Sequence, residues 1–252
     1  MGNIYLFAHD VLMKDDLPTE GSIDLIRHLS KKQHPFLILT DRSLHSRNRM
    51  ADKMYECGFP LFSEDLFYTS TMAAVDAIRS NYPERNRASV IGSESMKRLI
   101  QKGGFIMDSE RPHWLFVGTQ RDATYRDYNQ ALQAVMNGAV IISVSDSHLE
   151  WNRRQVQLGS GSVAMMLEYA SGTEALVSGW TSSVMIKKAL NYIGADPEQA
   201  LFVSSDLETE IAAAHSAGVS TVYVLGENRY EDLGASSIHP TYVVNSLKGM
   251  FI

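Results

Sequence analysis

Seven runs of five or six residues, "NIYLFA" (3–8), "FLILT" (36–40), "ASVIGS" (88–93), "HWLFVG" (113–118), "AVIISV" (139–144), "ALFVSS" (200–205) and "STVYVL" (220–225), constrain this chain more than any other feature. Each is strand-length and nearly all apolar, as a strand covered on both faces must be. The segments between them carry helical periodicity, and strand–helix alternation yields a mostly parallel sheet with helices on its faces. Helices are expected near 20–32 with Thr19 as N-cap, 44–57 ended by Gly58, 70–81 stopped at Asn81-Tyr82-Pro83, 94–102, 124–136, 160–171, 182–193 and 207–217 ended by Gly218. The tail "TYVVNSLKGMFI" reads as one more strand and a short last helix. Two αβ blocks flank a middle αβ block, which predicts an insertion into a parallel-sheet domain.

The 252 residues suit two modest domains better than one small core. The longest apolar runs are far too short to span a bilayer, and the first residues lack the charged flank and apolar core of a signal peptide. A single cysteine, Cys57, forms no internal disulfide, and a cytoplasmic location is expected. A net charge of −6 argues against a nucleic-acid partner.

In open parallel sheets chemistry gathers beyond the carboxyl ends of the strands. The segments there are "FAHDV", "LTDRS", "VSGWTSS" and "VSSDLETE". Their order and spacing resemble the haloacid dehalogenase superfamily, in particular its NagD-like branch of phosphatases, and the resemblance extends to "LFYTSTMAAVDAI" (66–78) and "GSGSVAMMLEYASG" (159–172). It implies an α/β fold: a Rossmann-like parallel sheet from 1–79 and 179–252, with a smaller α/β cap inserted at 80–178.

The family's first loop reads Asp-x-Asp-Gly-Val-Leu. Val11-Leu12 and Glu20-Gly21 keep its spacing, which sets Phe7 at the nucleophile, His9 at the acid/base and Asp10 at the Gly. Thr40 stands at the phosphate-binding hydroxyl and Asp41 replaces an Asn. The third motif, Gly-Lys-Pro, becomes Gly179-Trp180-Thr181; in the fourth, Ser205 replaces a metal-binding Asp and Glu210 closes the motif. Sliding the loops by one residue would make Asp10 and Asp206 the acids, but would place Ala8 at the nucleophile.

Phenylalanine has no lone pair with which to attack phosphorus. Magnesium takes oxygen ligands, and two of its carboxylates are absent; the cation that balances phosphate charge is an indole. These losses predict a pseudophosphatase with no intact catalytic residues among Phe7, His9, Trp180 and Ser205, kept for a binding, scaffold or regulatory role toward a protein partner or a small phosphorylated ligand. No cofactor or metal is expected; Mg2+ enters only if the family chemistry survives, with Asp10 and Asp206 as candidate ligands. The alternative is a phosphatase acting on small phosphorylated metabolites, such as nucleotides or sugar phosphates, with altered site residues. Thr40, Asp41, Arg42, Ser204 and Asp146 are candidates for holding a ligand, Asp146 as the last acid of the cap's specificity loop. "SVSDSHLEWNRRQ" (143–155) reads as a solvated loop whose Trp151, Arg153 and Arg154 would offer a contact surface. Homo-oligomerisation through the cap, known among relatives, is an open expectation.

Overall fold

The computed structural model describes residues 4–152, 155–180, 182–228 and 230–250. The chain divides into two compact units: Met1–Thr40, Arg47–Tyr68 and Ile186–Ile252 form one, Asp41–Ser46 and Thr69–Met185 the other. No helix among the described residues is long and apolar enough to cross a membrane.

The first unit is built on a six-stranded sheet in the order Tyr242–Val244, Ser220–Val224, Ala200–Ser204, Ile4–Ala8, Phe36–Thr40, Phe67–Thr69. Ile4–Ala8 pairs in parallel on both sides, Phe7 standing between Val203 and Ile38. From this strand the chain steps outward one way through Phe36–Thr40 and later the other way through Ala200–Ser204. Strand order therefore reverses between Ile4–Ala8 and Ala200–Ser204. The three-residue strand Phe67–Thr69 escapes sequence detection because it is short and runs straight into the helix Ser70–Asn81.

One helix start differs from expectation. The helix Ser22–Lys32 is preceded at its N-cap by Gly21 at φ +81°, and Thr19 does not cap it. The Thr19 hydroxyl instead donates to the Val11 carbonyl at 2.6 Å, tying down the hairpin of Met13–Lys14 and Leu17–Pro18. Glycine is required at 21 for a second reason: a Cβ there would lie 2.6 Å from the Lys248 nitrogen. The expected helix 207–217 is instead a π-helical turn, Leu207–Ile211, followed by α-helix Ala212–Ser216. Asp206 caps it, Oδ1 accepting from the Thr209 N–H at 2.9 Å, and the wider turn lets Glu210 meet the Ser204 hydroxyl.

The second unit holds a five-stranded parallel sheet in the order Leu176–Trp180, Val140–Ser145, Trp114–Val117, Arg87–Ile91, Ile106–Met107. One face packs Val75, Ile78, Met96 and Ile100 on Trp114 and Phe116; the other packs Ala131, Val135, Val163 and Leu167 on Leu115, Val117 and Ile141. The edge strand Leu176–Trp180 is absent from the sequence prediction, since its first residues Leu176 and Val177 are half exposed and it carries no long apolar run. "SVSDSHLEWNRRQ" is not simply a loop. Leu149–Asn152 and Gln155–Leu158 pair antiparallel as an arm, which the sequence hides because the two residues joining them are Arg-Arg, not the Asn-Gly or Asp-Gly of a hairpin. Arg153 and Arg154 of the expected contact surface lie outside the described residues, as does Thr181.

His113 gives this unit a measurable pH dependence. Its Nδ1 accepts the Arg87 N–H at 3.2 Å and its Nε2 faces the Arg87 guanidinium at 3.3 Å. Burial, then the Arg87 and Arg85 cations, hold the imidazole below its ordinary range, against a smaller opposing pull from Asp108. As pH falls through about 6.5, the unfolded chain protonates before the folded one. The stability is full above that value and is lost as pH drops toward and through the folded pKa. His113→Gln is expected to flatten the fall in Tm between about pH 7.5 and about pH 5.5; an unchanged slope would discount His113 as its source.

Candidate active site

The carboxyl edge of the first unit's sheet, at its point of reversal, gathers residues from three adjacent strands. Ile4–Ala8 ends in a buried His9, which opens the one-turn helix His9–Leu12. His9 Nδ1 lies 3.0 Å from Asp10 Oδ1, and the Asp10 side chain is 66% exposed. A carboxylate on one ring nitrogen fixes the tautomer and supports the imidazolium. The two partners are adjacent in the sequence as "HD". Thr40 ends the adjacent strand, almost fully buried.

On the other side, Ser204 is fully buried and ends Ala200–Ser204. Its hydroxyl donates to the Glu210 carboxylate and accepts the Asp206 N–H at 2.9 Å. Ser205 is exposed beside it. Phe7 does not face this edge. It is fully buried in the core cluster, stacked on Tyr5 (centroids 6.0 Å, 11° between planes) and edge-on to Phe36 at 6.4 Å.

Asp41, Arg42, Asp146 and Trp180 belong to the second unit. The Ser145 hydroxyl donates to Asp41 Oδ2 at 3.4 Å and also accepts the Ser147 N–H at 3.1 Å. The Ser147 hydroxyl bonds the Leu149 carbonyl and the Ser162 hydroxyl the His148 carbonyl, so serines hold the turn that carries Asp146. Trp180 stands opposite Ser145 in the sheet register. Its neighbour Gly179 passes so close to the Val144 carbonyl that no Cβ fits. Ser145 was not singled out from the sequence, where nothing marks it as the partner of a residue 104 positions away.

Magnesium would be the family's cofactor. Among the described residues no group of three or more His, Cys, Asp or Glu side chains is placed to hold a metal ion. The two positions that would add carboxylates are Phe7 and Ser205. This donor set does not fit magnesium.

Residues 7–106 match the family model described as haloacid dehalogenase-like hydrolase, and residues 178–250 match the HAD-hydrolase-like model. The chain belongs to the haloacid dehalogenase superfamily. It is 27% identical over 247 residues to the ribonucleotide monophosphatase NagD of Escherichia coli (strain K12), covering 97% of this chain and 96% of that one. It is 27% identical over 229 residues to the 5'-nucleotidase YutF of Bacillus subtilis (strain 168), covering 90% and 89%. The solved structure of NagD from E. coli K-12 matches with a TM-score of 0.88 at 26% identity, over 98% of each chain. The haloacid dehalogenase fold of the NagD-like branch, a parallel-sheet core with an α/β cap, is thereby established for this chain.

The expected pseudophosphatase is overturned by the same findings, since the relatives matched along nearly the whole chain are named phosphatases. Loss of a carboxylate nucleophile does not by itself abolish hydrolysis. Water can attack phosphorus directly where a base is held at the strand end.

Proposed function

We propose that this haloacid dehalogenase-type protein is a phosphoric monoester hydrolase acting on small phosphorylated metabolites, such as nucleotides or sugar phosphates, through an altered site. The observation that carries this is its likeness to the ribonucleotide monophosphatase NagD over 97% of the chain. With phenylalanine at position 7, the hydrolysis proceeds without a phosphorylated aspartate. His9 accepts a proton from water as the water oxygen bonds to phosphorus, the ester P–O bond breaks, and the alcohol leaves with a proton from solvent. Asp10 steadies the imidazolium so formed. Thr40, at the end of its strand, holds the phosphoryl oxygens. Ser204 shapes the loop, because its hydroxyl is engaged by Glu210 and Asp206.

The test is release of inorganic phosphate from a panel of nucleoside monophosphates and sugar phosphates. It is run with magnesium, with manganese, with zinc and with a chelator. Turnover above a no-enzyme control, lost on heat denaturation, is the expected result. No turnover with any substrate under any of the four conditions would remove the proposal.

A further inference from the structure

We infer that Ser93 and Ser43 are positioning residues: they fix the segment Asp41–Ser46, and through it the Thr40 end of the strand that holds the phosphoryl group. In its catalytic part this rests on the proposed hydrolysis. On the Ile4–Ala8 side the register of Phe36–Thr40 runs out at Leu39, so the ladder there does not place Thr40. The residues that follow must do so. They belong to the second unit, since the chain leaves the first unit after Thr40 and rejoins it at Arg47.

Within the second unit the segment is held at the carboxyl ends of three neighbouring parallel strands. The Ser93 hydroxyl, just beyond Arg87–Ile91, donates to the Ser43 carbonyl at 2.5 Å. The Thr119 N–H, just beyond Trp114–Val117, donates to the Ser43 hydroxyl at 3.3 Å. The Ser145 hydroxyl, at the end of Val140–Ser145, donates to Asp41 Oδ2 at 3.4 Å. Arg87–Ile91 leads into the helix Glu94–Lys102 on one face of the sheet, Trp114–Val117 into Tyr125–Met136 on the other. The crevice beyond two such neighbours is where open α/β sheets take a ligand. Here Ser43 of the chain itself is bonded at both strand ends and buried. Gly118 leaves it room: a Cβ there would stand 3.3 Å from the Ser43 hydroxyl.

Losing one of these bonds matters because a binding group displaced by about 1 Å can cost about 10²-fold. Ser93 also has a local task. Its hydroxyl accepts the Met96 N–H at 3.1 Å and so caps Glu94–Lys102. The two tasks separate in Ser93→Asp. A carboxylate is a good cap for the helix N–H groups, but when ionised it has no proton to give the Ser43 carbonyl.

The experiment reads two quantities on the intact protein: deuterium uptake by residues 40–46, and affinity for inorganic phosphate by isothermal titration. Ser93→Asp and Ser43→Ala are each expected to speed the uptake and weaken phosphate binding by about tenfold. Where substrate is turned over, KM should rise by a like factor with kcat within about threefold. Ser93→Thr still caps and donates, and is expected to keep both quantities at wild-type values. Thr124→Ala removes the capping box of Tyr125–Met136 and reports a general loss of stability in this unit. It should lower Tm and leave uptake at 40–46 and phosphate affinity unchanged. The inference is overturned by a wild type that does not saturate with phosphate, by unweakened binding in Ser93→Asp and Ser43→Ala, or by weaker binding without faster uptake. An equal effect of Thr124→Ala overturns it too. Wild-type turnover with KM unchanged in Ser93→Asp would sink the inference and leave the phosphatase reading standing. Phosphate binding weakened as expected, in a chain that hydrolyses nothing, would do the reverse.

Discussion

Phe7→Asp is expected to cost more than about 4 kcal/mol of folding stability, the largest effect of any single change considered for the core. The family pattern makes this substitution look like a repair. The packing makes it a lesion. Phe7 is fully buried between two parallel strands, with Tyr5 stacked on one side and Phe36 edge-on. Truncating a buried phenylalanine costs about 3–5 kcal/mol through lost transfer energy and the cavity left behind. An aspartate adds the burial of a carboxyl among apolar side chains, which must either stay protonated or draw water inward. Such a loss is a large share of the 5–15 kcal/mol or so typical of a native protein. Phe7→Leu serves as the control and is expected to cost about 1–2 kcal/mol. Urea denaturation followed by far-UV circular dichroism measures both. A Phe7→Asp loss below about 1 kcal/mol would mean that the ring is not part of the working core.

His9→Gln is expected to lower kcat/KM for phosphomonoesters by about 10²–10⁴-fold, the range for removing a positioned general base. The amide keeps the shape of the ring end but cannot take a proton from water. Asp10→Asn should cost less, since it removes the partner that steadies the imidazolium and leaves the base in place. The readouts separate two failures. If His9→Gln stays within about threefold of wild type, the base is elsewhere and the phosphatase proposal stands. If the wild type itself hydrolyses nothing, the proposal falls whatever His9 does. Melting curves on the variants keep a folding defect from passing as a catalytic one, because His9 is itself buried.

Much of the fold was legible because parallel strands covered on both faces must be apolar throughout. "FLILT" became Phe36–Thr40, buried at every position, and "AVIISV" became Val140–Ser145, shifted by one residue. The motif spacing located the strand ends correctly, since it depends only on chain length between fixed elements. What escaped was structure that draws its stability from elsewhere. Leu176–Trp180 is an edge strand with exposed leading residues, and the paired runs Leu149–Asn152 and Gln155–Leu158 are joined in sequence by no Asn-Gly or Asp-Gly. Gly21 took the cap position from Thr19 because Thr19 had a stronger partner in the Val11 carbonyl, which adjacency in sequence does not advertise. The functional expectation failed for a different reason. Residue types at motif positions were read as a complete account of the chemistry, while likeness along the whole chain carried the weight.

By itself the sequence determined the class of the fold, the order of its strands and helices, and which residue types stand at the strand ends. Those follow from local periodicity and from counting residues between apolar runs, and both survive without knowledge of any distant contact. Tertiary structure alone decided which of those residues pack in the apolar core and which stand at the sheet's carboxyl edge. Phe7 and His9 are two residues apart, yet one is sealed beneath the sheet's carboxyl edge and the other opens the turn above it. It also brought Ser145 to Asp41 and Ser204 to Glu210. Hydrogen bonds of this kind link residues whose separation along the chain carries no periodic signal, so only the packed sheets could reveal them.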